Sequence, residues 1–222
     1  MPHDMYRPAR PPLSPALMLR AYAAGIFPMS EGADDPTLFW VDPQRRGVFP
    51  LDRFHVSRSL NRRIRKSGFE VRVNSDFLGT VAGCADREPT WINAEIFQCY
   101  MSLHASGHAH SVEVWEDGAL IGGVFGVVLG GAFFGESMFS RRSDASKIAL
   151  AWLIARLNHG GFRLFDTQFV TEHLQSLGAV EVPRAVYRDA LQHALGCSAD
   201  FLAMPEGLPA QDVLAHLSTQ TS

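Results

Sequence analysis

The stretch FRLFDTQF, residues 162–169, sets an acid and an amide two positions apart, Asp166 and Gln168, in apolar surroundings. Along a strand, residues i and i+2 share a face, so both polar side chains point one way, with Phe165 and Thr167 on the other side. A glutamine is no Brønsted base at neutral pH, but its carbonyl oxygen can accept a hydrogen bond and align a reacting group. A carboxylate beside it can favour a developing positive charge. The plainer alternative is that Asp166 caps the next helix or satisfies buried backbone. Glu136 raises the same question in FFGESMF, where an unpaired carboxylate is costly; it must have hydrogen-bond partners, face a cleft, or both.

Other reactive residue types carry less. His104 and His108 lie four apart and His110 follows, but Gly107 should end the helix before His108, breaking the shared face a pair of metal ligands needs. No acidic or cysteine partner is positioned nearby, so no metal is expected. Cys84, Cys99 and Cys197 form no CxxC pair and read as buried or idle thiols, without a disulfide framework or zinc knuckle.

The elements that must position Glu136, Asp166 and Gln168 are legible in outline. Ser14 as N-cap with Pro15 at the first helical position opens a helix that stops at Gly25 and Pro28. A basic helix starts near Ser57 and ends at Gly68. A soft boundary there divides a small N-terminal α/β domain, 1–68, from a catalytic domain, 69–222. FEVRVNSD alternates as a strand, and INAEIFQCYMSLHASG is a helix closed by Gly107. Asp117-Gly118 and Gly130-Gly131 stand between apolar runs where tight hairpin turns need positive φ, which predicts three antiparallel strands between His110 and Phe139. A helix from Ser143 or Asp144 to Gly160-Gly161, the FRLFDTQF strand, a helix around TEHLQSLGA and a last helix after Pro183 complete the reading.

This order is α+β: one mixed sheet with flanking helices. At the level of fold it resembles the acyltransferases of the GNAT type, which cradle the pyrophosphate of coenzyme A on a glycine-rich turn between the fourth strand and the next helix. Here that place holds SRRSDASK, without glycine, so coenzyme A loses its main support, while Arg141, Arg142 and Lys147 could meet a different anion.

Composition agrees with a folded globular chain: 222 residues, 46% hydrophobic and 19% charged. No apolar run of membrane length occurs, and the proline-rich, polar start is not a secretion leader, so a cytoplasmic protein is expected, with no membrane partner. A net charge of -3 argues against a uniformly basic nucleic-acid binder, yet nine basic residues against two acids lie between Arg45 and Arg72. A compact basic patch on an otherwise acidic chain suits a polyanion docking at one place; a solvated helix face is the alternative.

LRAYAAGIFP, FWVDP, TWI, GHAHSVEVW, GGVFGV, FFGESMFSR, ASKIAL, FDTQF and LGAVEVPRAVY occur, from about residue 14 to residue 190, in the order and spacing of the bacterial leucyl/phenylalanyl-tRNA-protein transferases, which the chain closely resembles. The resemblance implies transfer of leucine or phenylalanine, with methionine a further candidate, from aminoacyl-tRNA to an N-terminal Arg or Lys of an acceptor protein, marking it for degradation by the N-degron pathway. It implies the acyltransferase-like fold with a separate N-terminal domain and no metal, coenzyme A or other cofactor. A monomer is expected. The chain departs from the family in reaching Ser14 almost at once, and at Val124 and Phe165, which touch the side-chain pocket.

In that reaction an amine attacks an activated ester through a tetrahedral intermediate. An α-amino group with pKa about 7.7 to 8.0 is roughly one-tenth neutral near pH 7, so orientation suffices without a strong base. By resemblance Gln168 accepts a hydrogen bond from the amine, Asp166 holds the Gln168 amide and favours the developing ammonium, and Glu136 holds polar atoms of the substrate. Asp166→Ala and Gln168→Ala are each expected to lower transfer about a hundredfold or more, at least about 2.7 kcal/mol, without unfolding the protein. Phe133, Met138, Leu150, Leu153 and Phe165 resemble the apolar pocket for the transferred side chain, with plain core as the alternative. Trp40 and Trp91 resemble contacts to the terminal adenosine of tRNA, where stacking is worth roughly 1–3 kcal/mol. Arg58, Arg62, Arg63, Arg65 and Lys66 would track the acceptor stem through its phosphates. Two other classes stay open: a coenzyme A acetyltransferase, which explains the fold only, and a noncatalytic tRNA-binding module, which leaves Asp166, Gln168 and Glu136 without a task.

Overall fold

A computed structural model describes residues 12–66 and 68–218; the proline-rich start, residues 1–11, lies outside them. Helix α1 (Pro15–Ala23) opens as read: the Ser14 hydroxyl accepts from the Leu17 N–H, and Gly25 turns the chain at φ +80°. Two short strands, β1 (Phe27–Met29) and β2 (Phe39–Val41), pair antiparallel as a separate ribbon. Strand β3 (Arg45–Val48) and the basic helix α2 (Arg58–Arg65), capped by Ser57, follow. Strand β4 (Glu70–Val73) leads into α3 (Phe77–Ala85), a helix absent from the sequence reading, and α4 (Ala94–Ala105), capped by Asn93. Asp76 caps α3 by accepting from the Gly79 N–H. Glycines at 79 and 83 hide α3 from a propensity reading. Gly83 is there because an added Cβ would come within 2.8 Å of the Phe139 ring, so the helix can lie close on the sheet.

The meander is present: β5 (Ala109–Glu116), β6 (Ala119–Leu129) and β7 (Ala132–Ser140), turning at Asp117 and Gly118 with φ of 51° and 75°, and at Gly130 with φ of 56°. Helix α5 (Ala145–His159), strand β8 (Leu164–Gln168), the short α6 (Glu172–Ser176), β9 (Val180–Pro183), α7 (Arg184–Leu195) and α8 (Ala210–Ser218) complete the described chain. The helix after Pro183 is therefore followed by one more. Seven strands form one sheet in the order β4-β5-β6-β7-β8-β3-β9, antiparallel except for the parallel pair β7–β8. Strand β3, from before residue 68, lies between β8 and β9.

Each sheet face carries its own core. Under α5, α2 and α8 sit Leu60, Ile64, Phe133, Leu150, Leu153 and Phe165; on the opposite face Met18, Tyr22, Tyr100, Phe134, Leu164 and Tyr187 pack beneath α1, α3, α4 and α7. Two irregularities aim the polar residues. On β7, Phe125 pairs with Ser137 while Gly126 pairs with Gly135, so Glu136 is an extra residue, a β-bulge. The bulge reverses the alternation: Phe133 and, five residues on, Met138 both join the α5 core, while Phe134 and Phe139 both join the other. On β8 the parallel ladder stops at Phe134–Asp166, and Gln168 at the strand end has φ +62°.

Candidate active site

Asp166 is fully buried and its two oxygens are fully used. The Arg46 guanidinium grips it in a fork, Nε to Oδ1 at 2.8 Å and Nη2 to Oδ2 at 2.6 Å. The Tyr187 hydroxyl donates to Oδ2 at 2.8 Å and the Gln168 backbone N–H to Oδ1 at 2.8 Å. Arg46 is itself only 1% exposed, donates to the Gly25 carbonyl at 3.0 Å, and lies between the rings of Phe27 and Tyr187 at 4.5 and 4.6 Å. Burial alone would lower the Arg46 pKa; hydrogen bonding and charge from Asp166 raise it instead. Gly47 lets β3 come this near, since a Cβ there would meet the Phe169 backbone and the Thr167 hydroxyl at 2.8 Å. The Thr167 hydroxyl, on the other side of the strand, is buried without a hydrogen-bond partner among the described residues.

Glu136 lies across the gap where the β7–β8 ladder ends. Its Oε1 accepts from the Tyr22 hydroxyl at 2.6 Å; its Oε2 accepts from Tyr100 at 2.7 Å and from Gln168 Nε2 at 3.0 Å. Burial raises the Glu136 carboxyl to about 7, the three donors pull it down, and the charge of Asp166 pushes it up. Burial, followed by the charge of Glu136, raises both Tyr22 and Tyr100 well above the usual phenol range, so they remain donors. Asp166 and Gln168 do cooperate, but not as the strand reading expected. Asp166 holds the Gln168 backbone, and Glu136 holds its amide, because positive φ at Gln168 swings the side chain away from Asp166 toward β7. Contrary to the expectation from the sequence, Asp166→Ala would not leave the fold intact, because it strands the buried Arg46 guanidinium at a cost of about 3–5 kcal/mol.

The family model for the leucyl/phenylalanyl-tRNA protein transferase matches residues 48–192, and the model for the N-terminal domain of the same transferase matches residues 12–44. A protein of Jannaschia sp. named leucyl/phenylalanyl-tRNA–protein transferase is 66% identical over 94% of this chain and 99% of its own length. The chain belongs to the leucyl/phenylalanyl-tRNA protein transferase family. It is an aminoacyltransferase. Similarly named proteins of Cereibacter sphaeroides and Ruegeria pomeroyi are 63% and 62% identical over 96% and 95% of the chain and 99% of each relative. Among solved structures, L-PGS from Bacillus licheniformis aligns at 15% identity over 60% of this chain and 50% of that one, with a TM-score of 0.39, too weak to bear on the fold.

The other residues singled out for this transferase family divide by location. Phe133, Leu150, Leu153 and Phe165 come together, but inside the closed α5 core; the Phe133 and Phe165 rings meet edge to face at 5.3 Å. Met138 is half-buried on β7 beyond the end of the β7–β8 ladder and packs against the same core. Trp40 on β2 is 37% exposed, whereas Trp91 is half-buried with its ring against Tyr100 at 6.3 Å. Arg58, Arg62, Arg65 and Lys66 are exposed around one shallow groove on α2; Arg63 instead turns to Glu116 at 2.9 Å and lies over Phe69. At the start of α5, Lys147 binds Asp144 at 2.8 Å and Ser140 takes the Ser146 N–H, so the chain itself fills much of the place left for another anion. His104 stacks on Phe77 and His110 on Phe201, and His108 contacts Ser106.

Four residues at the site escaped the sequence reading: Tyr22, Arg46, Tyr100 and Tyr187. Arg46 was counted as surface charge, and the buried tyrosines sit at ordinary apolar helix positions. The one available signal was that a buried acid needs partners, without saying which.

Proposed function

We propose that the protein transfers leucine or phenylalanine, with methionine a further candidate, from aminoacyl-tRNA to the α-amino group of an N-terminal Arg or Lys on an acceptor protein. The observation that carries this reading is the Gln168 amide, bonded through Nε2 to Glu136 at the end of the β7–β8 ladder. Its Oε1 accepts no hydrogen bond from the described residues. That oxygen is available to accept a hydrogen bond from the attacking amine and align its lone pair. The amine nitrogen then adds to the ester carbonyl carbon; the amide forms, the ester C–O bond breaks, and the departing 3′-end hydroxyl of the tRNA leaves with a proton drawn from the amine.

Two features support the substrate assignment. An apolar side chain would reach Phe133, Leu150, Leu153 and Phe165 only by parting their packed core beside Met138, and its burial there is worth about 1.5–3 kcal/mol, enough to reject small or charged residues but weak between Leu, Phe and Met. Exposed Trp40, with Trp91, offers stacking for a single-stranded 3′ adenosine, and exposed Arg58, Arg62, Arg65 and Lys66 offer phosphate contacts to the acceptor stem. Arg63 would serve there only after leaving Glu116. The parallel β7–β8 pair joined through α5 favours a GNAT-type scaffold used without coenzyme A. We place the protein in the cytoplasm, as a monomer acting in the N-degron pathway; no helix among the described residues is long and apolar enough to cross a membrane.

The test is transfer of radiolabelled leucine or phenylalanine from charged tRNA to model proteins beginning with Arg, Lys, Asp or Ala. Label on the Arg and Lys proteins alone, lost in Gln168→Ala, is the expected result. Label on the Asp protein would overturn the acceptor assignment, and tight tRNA binding without transfer would favour a noncatalytic module.

A further inference from the structure

Gln168 is buried, sits at φ +62°, and has two distinct handles, each held by a different carboxyl. We propose that two separate grips aim Gln168, Glu136 with Tyr22 and Tyr100 on its amide nitrogen and Asp166 with Arg46 and Tyr187 on its backbone, leaving Oε1 as the atom that meets the acceptor amine. The inference rests on the transferase reading above and adds the division of labour. Glu136, Tyr22, Tyr100 and Arg46 are positioning residues; Gln168 touches the substrate.

The geometry says why both grips are needed. An amide can turn end for end at little cost, and only the partner of one end decides which way it faces. Here that partner is Glu136 Oε2, an acceptor only while ionised. A proton on Oε2 would make it a donor facing the Nε2 hydrogens, and the amide would have to turn and offer Oε1, removing the oxygen from the amine's side. Tyr22 from α1 and Tyr100 from α4 stabilise the ionised form by donation. Asp166 on β8 opposes it through its charge, while Arg46 from β3 and Tyr187 from α7 occupy Asp166. With Glu136 raised to about 7 by burial, the turn falls within the working range of pH. The second grip cannot turn: the bidentate ion pair keeps Asp166 in place, and its Oδ1 holds the strained backbone N–H.

Nuclear magnetic resonance of the uniformly 15N-labelled protein reads the first grip directly. The Gln168 side-chain amide, assigned by its loss in Gln168→Leu, is expected to shift between about pH 5.5 and 8.5 with a midpoint near that of Glu136, and to stop titrating in Glu136→Gln. Tyr100→Phe, which removes a donor to the carboxylate, should move the midpoint upward. In parallel, Glu136→Gln is expected to lower kcat for leucine transfer about tenfold with KM for aminoacyl-tRNA nearly unchanged, as for an interaction acting in the transition state. Arg46→Lys should lower kcat but leave the amide titration in place. An amide resonance that stays still in the wild type, or moves alike in Glu136→Gln, overturns the proposal. A wild type that titrates as expected yet transfers no amino acid would leave the grip standing and sink the transferase reading instead.

Discussion

Asp166 and Glu136 are buried carboxyls pointing to the same face of the sheet, one fully buried and the other 7% exposed, and the fold satisfies them by opposite means. Around Asp166 it supplies a full counter-charge in a two-pronged geometry, wedged between two aromatic rings. Around Glu136 it supplies only neutral donors: two tyrosines and one amide. Neutral donors offset desolvation only in part, so the Glu136 carboxyl stays near 7 and can change charge under ordinary conditions. The same residue class at similar depth therefore becomes a fixed brace in one place and a titratable handle in the other. What separates them is whether the neighbouring strand offers a cation.

The largest effect should come from breaking the brace. Arg46→Ala leaves a buried carboxylate without its cation, and urea unfolding should show a loss of about 3–5 kcal/mol. Exchanging the pair for apolar residues of similar volume should cost far less stability while abolishing transfer. Next, Gln168→Ala should cut transfer about a hundredfold, near 2.7 kcal/mol, with the urea midpoint little changed, because neither grip loses a charge. A midpoint that drops as far as in Arg46→Ala would mean that Gln168 braces the fold as Arg46 does.

A smaller, pH-dependent effect should mark the handle. The folded-state Glu136 carboxyl is raised above its ordinary 4.5 to about 7, so the native state keeps a proton that the unfolded chain has already lost. Stability contributed by that proton is present below about pH 4.5 and is lost as pH rises toward 7. Thermal melts of Glu136→Gln against wild type should therefore favour the variant progressively from pH 5 to pH 8; a gap independent of pH would mean that Glu136 keeps one charge state across that range. The smallest effects belong to the surface cations. Replacing Arg62 or Arg65 should reduce the salt slope of tRNA binding by about 1 each. Arg63→Ala should leave that slope alone and cost under about 1 kcal/mol of stability through its pair with Glu116.

How far the sequence could be read depended on how local the cause was. Ser14 before Pro15, Asp117-Gly118 between apolar runs and Thr171 before α6 act within three or four residues, and all behave as their types require. Strand β9 went unseen because it is four residues long with a charged member, and β3, legible only as one short extended piece, becomes interior to the sheet by lying between β8 and β9. Helix α3 went unseen because its glycines serve close approach, Gly79 to the capping Asp76 side chain and Gly83 to Phe139 on β7, not helix propensity.

The sequence by itself determined the family, the α+β order, the meander, and the three polar residues at Glu136, Asp166 and Gln168, since apolar surroundings make a buried acid or amide conspicuous. Only the tertiary structure decided which acid holds what. That assignment depends on a one-residue bulge at Glu136, on a positive φ at Gln168, and on partners 114 and 120 residues away along the chain, Tyr22 for Glu136 and Arg46 for Asp166. Side-chain direction across a strand follows from a period of two only while the ladder is regular, and at this site it is broken on both strands.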